Sequence, residues 1–124
     1  MNINTDVIAA QFDEWNEALQ TGDPKNVVAL YDPQGILLPT VSNKVRTNPA
    51  EIEDYFVHFL AKKPVGKIDE SHIRTYGEIA MHAGIYTFTF EGGAEVQARF
   101  SFVYRWNGVR WLIVEHHSSQ MPEG

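Results

Sequence analysis

The chain has 124 residues, 44% of them hydrophobic and 21% charged, which suits one folded domain with one buried core (1–124) and not a disordered segment. A net charge of −6 without any basic stripe argues against nucleic acid as a partner. With no cysteine there can be no disulfide, thiolate chemistry or cysteine-based zinc site. The opening MNINTDVIAAQF lacks the basic start and apolar core of a secretory signal, and no apolar run approaches the roughly 18 residues of a bilayer span. A cytoplasmic protein with no membrane partner is expected.

Residues 6–19 read as an amphipathic helix, because Ile8, Phe12, Trp15 and Leu19 repeat at spacings of four, three and four. Asn4 or Thr5 is placed to cap its start and Gly22 to end it. Asp23-Pro24 restarts a short helix whose apolar face is Val27, Val28, Leu30 and Tyr31. Asp32-Pro33-Gln34-Gly35 is turn chemistry, and the GILLP run at 35–39 reads as a short strand. Asn48-Pro49-Ala50-Glu51 is another helix start, followed by the stripe Ile52, Tyr55, Phe56, Phe59 and Leu60, with Pro64 and Gly66 as the stop.

From residue 67 the period changes to two. Strands are expected at 67–76, 78–90, 95–105 and 110–118, separated by Gly77, by Glu91-Gly92-Gly93 and by Asn107-Gly108. Such short connections imply antiparallel neighbours. Helices first and an antiparallel meander last make an α+β layout, with the helices on one face of the sheet. In the third of these strands Val96, Ala98, Phe100, Phe102 and Tyr104 share one face. The fourth is apolar on both sides: strict alternation puts Leu112, Val114, His116 and Ser118 on the inner face and Trp111, Ile113, Glu115 and His117 on the outer. Both faces of that strand need cover, one from the core and one from a partner.

Three segments together carry a family resemblance: ALQTGDPKNVVALYDP at the first two helices, IRTYGEIAMHAGIYTFTF in the middle and ARFSFVYRWNGVRWLIVEHHSSQMPE at the end. Over roughly residues 7–122 the sequence resembles the association (hub) domain of calcium/calmodulin-dependent protein kinase II, within the cystatin-like, nuclear-transport-factor-2-like superfamily that also holds SnoaL-like relatives. The resemblance implies a cone-shaped curved sheet with the helices covering its concave face around a deep pocket. It also implies self-assembly through the sheet, to a homodimer or larger oligomer, and no kinase activity in this chain. The three pocket arginines of the kinase hub fall on Tyr86, Phe102 and Ser118, none of them basic, so the resemblance does not by itself imply the hub's affinity for small carboxylates.

The inner wall is expected to include Trp15, Tyr86, Phe88, Phe102, His116 and Ser118, with Arg74 as a further pocket candidate. Such a wall reads either as an ordinary aromatic core or as an apolar cavity with a few polar anchors that takes a small ligand. His116 is a candidate acid/base, since histidine titrates near neutrality, or a structural histidine bonded within the fold. Asp32 lies near where isomerases of this superfamily place a base, but Asp-Pro at a turn explains it equally well. His116 and His117 face opposite sides of a strand and cannot share a metal, so neither a metal nor a cofactor is expected. Arg99, Trp111, Ile113, Glu115 and His117 are the expected oligomer contacts. These features favour a self-associating domain with a ligand pocket. The alternative is a cofactor-free isomerase, lyase or cyclase of the SnoaL-like or ketosteroid-isomerase-like type using the pocket histidine.

Overall fold

A computed structural model describes residues 5–123. Three helices, α1 (Thr5–Gln20), α2 (Pro24–Val28) and α3 (Pro49–Leu60), precede and flank a first strand, β1 (Tyr31–Leu38). Four strands follow as a meander: β2 (Val65–Tyr76), β3 (Ile79–Thr89), β4 (Glu95–Trp106) and β5 (Trp111–Gln120). They form one curved, unclosed sheet in the order β1-β5-β4-β3-β2. The meander is antiparallel as expected, whereas β1 joins β5 in parallel, at the edge. The α+β class and the helix-covered inner face agree with the sequence reading.

The apolar stripe of α1 is fully committed: Ile8, Phe12, Trp15 and Leu19 are each at most 3% exposed. Asn16 fastens this helix to β2, its amide donating to the Gly66 carbonyl at 2.9 Å and accepting from the Gly66 N–H at 2.8 Å. Asn4, one of the two candidate caps, lies outside the described residues. The other two helix starts are capped as their sequences indicate, by Asp23 accepting from Lys25 N–H and by Asn48 accepting from Glu51 N–H. Tyr31 is not part of the α2 face. The helix stops at Val28, and Tyr31 opens β1 opposite Ile113, where its ring enters the core.

Besides a register shift in β1 between Tyr31 and Ile36, two irregularities shape the sheet. Between Ile68 and Glu70 the β2–β3 register slips by one residue, and a Cβ at Gly84 would run into the Glu70 carbonyl. A side chain is therefore excluded at Gly84, and β2 lies close against β3 where the sheet bends. The second irregularity is in β5: Val103 faces Glu115 and Tyr104 faces Ile113, leaving Val114 unpaired. This bulge inverts the alternation on its N-terminal side.

The inversion corrects the expected faces of β5. His116 and Ser118 are inward, but Trp111 (6% exposed) and Ile113 (2%) are inward as well and belong to the main core cluster. Leu112 and Val114 point to the outer side, Leu112 directly opposite exposed Arg105. Trp111 meets Trp106 at a ring separation of 5.6 Å, so the end of the hairpin closes over the core. Trp111 and Ile113 are thus not outward oligomer contacts. The Asn107-Gly108 turn is a four-residue connection between Trp106 and Trp111, in which Asn107 Oδ1 accepts from the N–H groups of Val109 and Arg110, both at 2.9 Å.

Trp111→Asp places a carboxylate in the core and removes an indole from it. It is expected to destabilise the fold by at least about 3 kcal/mol in a denaturant titration. A well-folded variant of near wild-type stability would contradict the inward assignment.

Candidate functional site

Inside the sheet, six side chains form one continuous hydrogen-bonded chain. Trp15 Nε1 donates to the Tyr31 hydroxyl at 3.3 Å, and that hydroxyl lies 2.8 Å from His116 Nδ1. His116 Nε2 is 3.3 Å from the Tyr86 hydroxyl, which donates to Ser118 Oγ at 2.7 Å. Thr40 Oγ1 then meets Ser118 Oγ at 2.5 Å. The members come from several parts of the fold: α1 supplies Trp15, β1 Tyr31, the segment after β1 Thr40, β3 Tyr86 and β5 both His116 and Ser118. The parallel placement of β1 beside β5 is what brings Tyr31 within reach of His116.

The donor inventory sets the polarity of this chain. An indole N–H only donates, so the Tyr31 oxygen accepts from Trp15 and gives its own hydrogen to His116 Nδ1. Nδ1 is then unprotonated and the imidazole proton sits on Nε2, donating to Tyr86, which passes its hydrogen to Ser118. The opposite tautomer leaves the Tyr31 hydrogen without an acceptor in a buried position, which is costly. His116 is accordingly the neutral Nε2–H form. Its ring is stacked on Phe102 at 4.0 Å and 18°, and the Trp15 ring stands perpendicular to it at 5.4 Å.

This setting moves the imidazole far from its ordinary range. Burial, with a smaller contribution from His117, lowers the His116 pKa from 6.5 to about 3. Burial likewise raises the phenol pKa of Tyr86 and Tyr31 well above the usual value. Near neutral pH the site therefore contains a neutral imidazole and neutral phenols. A histidine whose conjugate acid is this strong is a weak base, which removes the property that made His116 a candidate for proton transfer.

A cavity of about 120 Å³ opens beside the Ser118 end of the chain. Trp15, Tyr86, Phe88, His116 and Ser118 line it. Phe102 lies beneath His116 and is not on the cavity wall. The structure adds Thr40, Phe56 and Phe59 to the lining, with Lys62 and Val41 also on it; Val41 is 68% exposed. Arg74 is absent from this wall: it is exposed on β2 opposite Met81, on the outer side of the sheet. Asp32 is buried elsewhere, accepting from the Gln34 N–H at 2.9 Å and pairing with Arg105 at 3.5 Å. The structure thus brings Tyr86 and His116 together but not Asp32.

A second inward histidine escaped the sequence reading. His82 is 1% exposed, bonded to Ser71 Oγ at 2.6 Å and edge-on to Phe100, and burial lowers its pKa. Its Nδ1 and the Tyr104 hydroxyl lack hydrogen-bond partners among the described residues. No group of three or more His, Asp or Glu residues is arranged to hold a metal ion among the described residues.

The buried neutral histidine gives a pH prediction with a definite sign. Between pH 6.5 and about 3 the unfolded chain binds a proton at His116 that the folded chain does not, so stability falls as pH drops through that window. The slope from this group approaches about 1.4 kcal/mol per pH unit. Denaturant titrations between about pH 6 and pH 4.5 are expected to show a slope steeper by about this amount in the wild type than in His116→Gln, with buried His82 contributing to both. Equal slopes would contradict the assignment.

Comparison with known proteins places this architecture. The family model for the calcium/calmodulin dependent protein kinase II association domain matches residues 4–122. A solved structure of a candidate association domain of that kinase from Xanthomonas campestris is 48% identical, with a TM-score of 0.94 over 99% of this chain and 91% of that one. A cystatin-like protein of unknown function from Nostoc punctiforme superposes with a TM-score of 0.83 at 14% identity, covering 98% and 96% of the two chains. A candidate dehydratase of the nuclear-transport-factor-2-like family from Streptomyces avermitilis gives 0.77 at 18% identity, covering 94% and 96%. At those two identities the likeness concerns the fold alone. No curated protein matches the chain. No helix among the described residues is long and apolar enough to cross a membrane. A match over nearly the whole length, joined to the helix-covered curved sheet, establishes that the chain belongs to the calcium/calmodulin-dependent protein kinase II association-domain family.

Proposed function

We propose that this domain self-associates, at least to a dimer, through the outer face of its sheet, while the enclosed cavity holds a small, partly apolar ligand without transforming it. Family membership supports the first part, and the character of the outer face carries it. Ile36 and Leu38 of β1, Met81 and Ile85 of β3, Val103 of β4 and Val114 of β5 all lie half-buried on the side of the sheet away from the helical core. Arg99, Ser101, Glu115 and His117 lie exposed among them. An apolar centre with polar surroundings on a continuous sheet suits an isologous two-fold contact. The bulge at Val114 changes which residues of β5 serve this contact. Val114 takes the place of Trp111 and Ile113, and Arg99, Glu115 and His117 keep their proposed role.

The catalytic alternative has less support. A base and a paired donor must converge on one reacting atom, yet Asp32 is engaged with Arg105 away from the cavity and His116 is a weak base.

Val103→Asp, in the middle of β4 on the outer face, is expected to convert the wild-type oligomer into a folded monomer, by light scattering together with circular dichroism. A wild-type chain that is monodisperse and monomeric at micromolar concentration would overturn self-association. A Val103→Asp variant that stays oligomeric would overturn the choice of face.

A further inference from the structure

We propose that the cavity binds a small uncharged ring compound through a carbonyl or ether oxygen, which accepts a hydroxyl hydrogen from the Thr40–Ser118 pair. This rests on the reading that the cavity takes a ligand and adds the chemical class.

The inference follows from counting hydrogens along the buried chain. Its direction is fixed at the inner end, where the Trp15 indole can only donate. Each step then passes a hydrogen outward: Trp15 to Tyr31, Tyr31 to His116, His116 to Tyr86, and Tyr86 to Ser118. The Ser118 and Thr40 oxygens are 2.5 Å apart, so one of the two hydroxyls donates to the other. Whichever does so, one hydroxyl hydrogen of the pair has no acceptor in this chain of bonds, and Thr40 and Ser118 both line the cavity. The polar end of the cavity is therefore a donor, and its complement is an acceptor.

Charge and size narrow the class further. His116 and Tyr86, the titratable groups at the inner end, are both neutral in the network described above. Among the lining residues the one permanent cation is Lys62, which is exposed and holds its ammonium over the Phe90 ring, 5.8 Å from the centroid. A carboxylate seated on the hydroxyl pair would lose its hydration without gaining a buried cation, whereas a neutral carbonyl would lose little. Phe56, Phe59 and Phe88 supply flat walls, and about 120 Å³ approaches the cavity size of about 150 Å³ known to accept benzene. A single ring with one neutral acceptor fits all three conditions.

Three probes of similar shape separate the possibilities when titrated by calorimetry and ligand-observed NMR: acetophenone, ethylbenzene and benzoate. Acetophenone is expected to bind about fivefold tighter than ethylbenzene and at least about tenfold tighter than benzoate. The bound carbonyl stretch should lie at lower frequency than in hexane. In the Thr40→Val, Ser118→Val double variant methyl groups replace both hydroxyls and cover the Tyr86 hydroxyl, which lies 2.7 Å from Ser118 Oγ in the wild type, and the acetophenone preference is expected to fall toward one. Equal affinity for acetophenone and ethylbenzene, or a preference unchanged in the double variant, would overturn the ligand class while leaving a ligand cavity in place. Benzoate binding tightest, and weakened in Lys62→Ala, would overturn it in favour of anion recognition. Failure of all three probes to bind at millimolar concentration would overturn the cavity reading too. If the double variant does not fold, the wild-type affinity order and the infrared shift still decide.

Discussion

The interior of this domain is arranged around one imidazole that must be satisfied on both sides. His116 is only 3% exposed, so each ring nitrogen needs a partner, and the two protein partners come from strands on either side of β5. That requirement fixes the position of β1, because Tyr31 must reach Nδ1. It fixes the orientation of Trp15, whose N–H completes Tyr31 while its ring edge meets the imidazole. It also decides which way the hydrogens run. Phe102, stacked beneath the ring, fills the remaining face and completes the desolvation that keeps the imidazole neutral. A half-satisfied buried network would cost more than an apolar core, so the members stand or fall together.

The two sides of the sheet follow from this arrangement. On the inner side the aromatic rings contact one another, and the polar groups are largely paired apart from His82 Nδ1 and the Tyr104 hydroxyl, with one further donor at the cavity. The outer side is the reverse, with half-buried aliphatic residues and exposed charges and, among the described residues, no helix packed over its centre. A neutral interior is a poor place for proton transfer and a good place to hold an uncharged molecule. An aliphatic outer face is a natural surface for a second copy. Family membership and the outer face support the proposed association, and the neutral interior supports the proposed uncharged ligand.

Much of this was legible in the sequence. The Ile8–Leu19 stripe, the Asp23-Pro24 and Asn48-Pro49 helix starts and the four meander strands are local signals, and the structure follows them closely. The inward positions of Trp15, Tyr86, His116 and Ser118 were also accessible, because alternation holds over the second half of β5. Strict alternation failed at Val114, where nothing in WLIVEHHSS announces an extra residue. A bulge there follows from register against Tyr104 and Tyr31, which are distant in sequence. Tyr31 itself was misplaced on α2 because its neighbours Val27 and Val28 made a plausible helical face. The clue was its phenol, since a tyrosine on a core face needs a partner for its hydroxyl. Thr40 carried no local signal, and only the loop after β1 brings it to Ser118.

The central claim is that His116 is a neutral, Nε2-protonated imidazole held by two hydroxyls. Long-range proton–nitrogen correlation NMR of the labelled protein, recorded from about pH 7 down to about pH 4.5, tests this most directly, since free imidazole changes its charge within that range. The account predicts a nitrogen pattern of the Nε2–H tautomer for His116, with a protected ring proton and no titration across the range. A Nδ1–H pattern, or a titration midpoint near the ordinary histidine value, would contradict it.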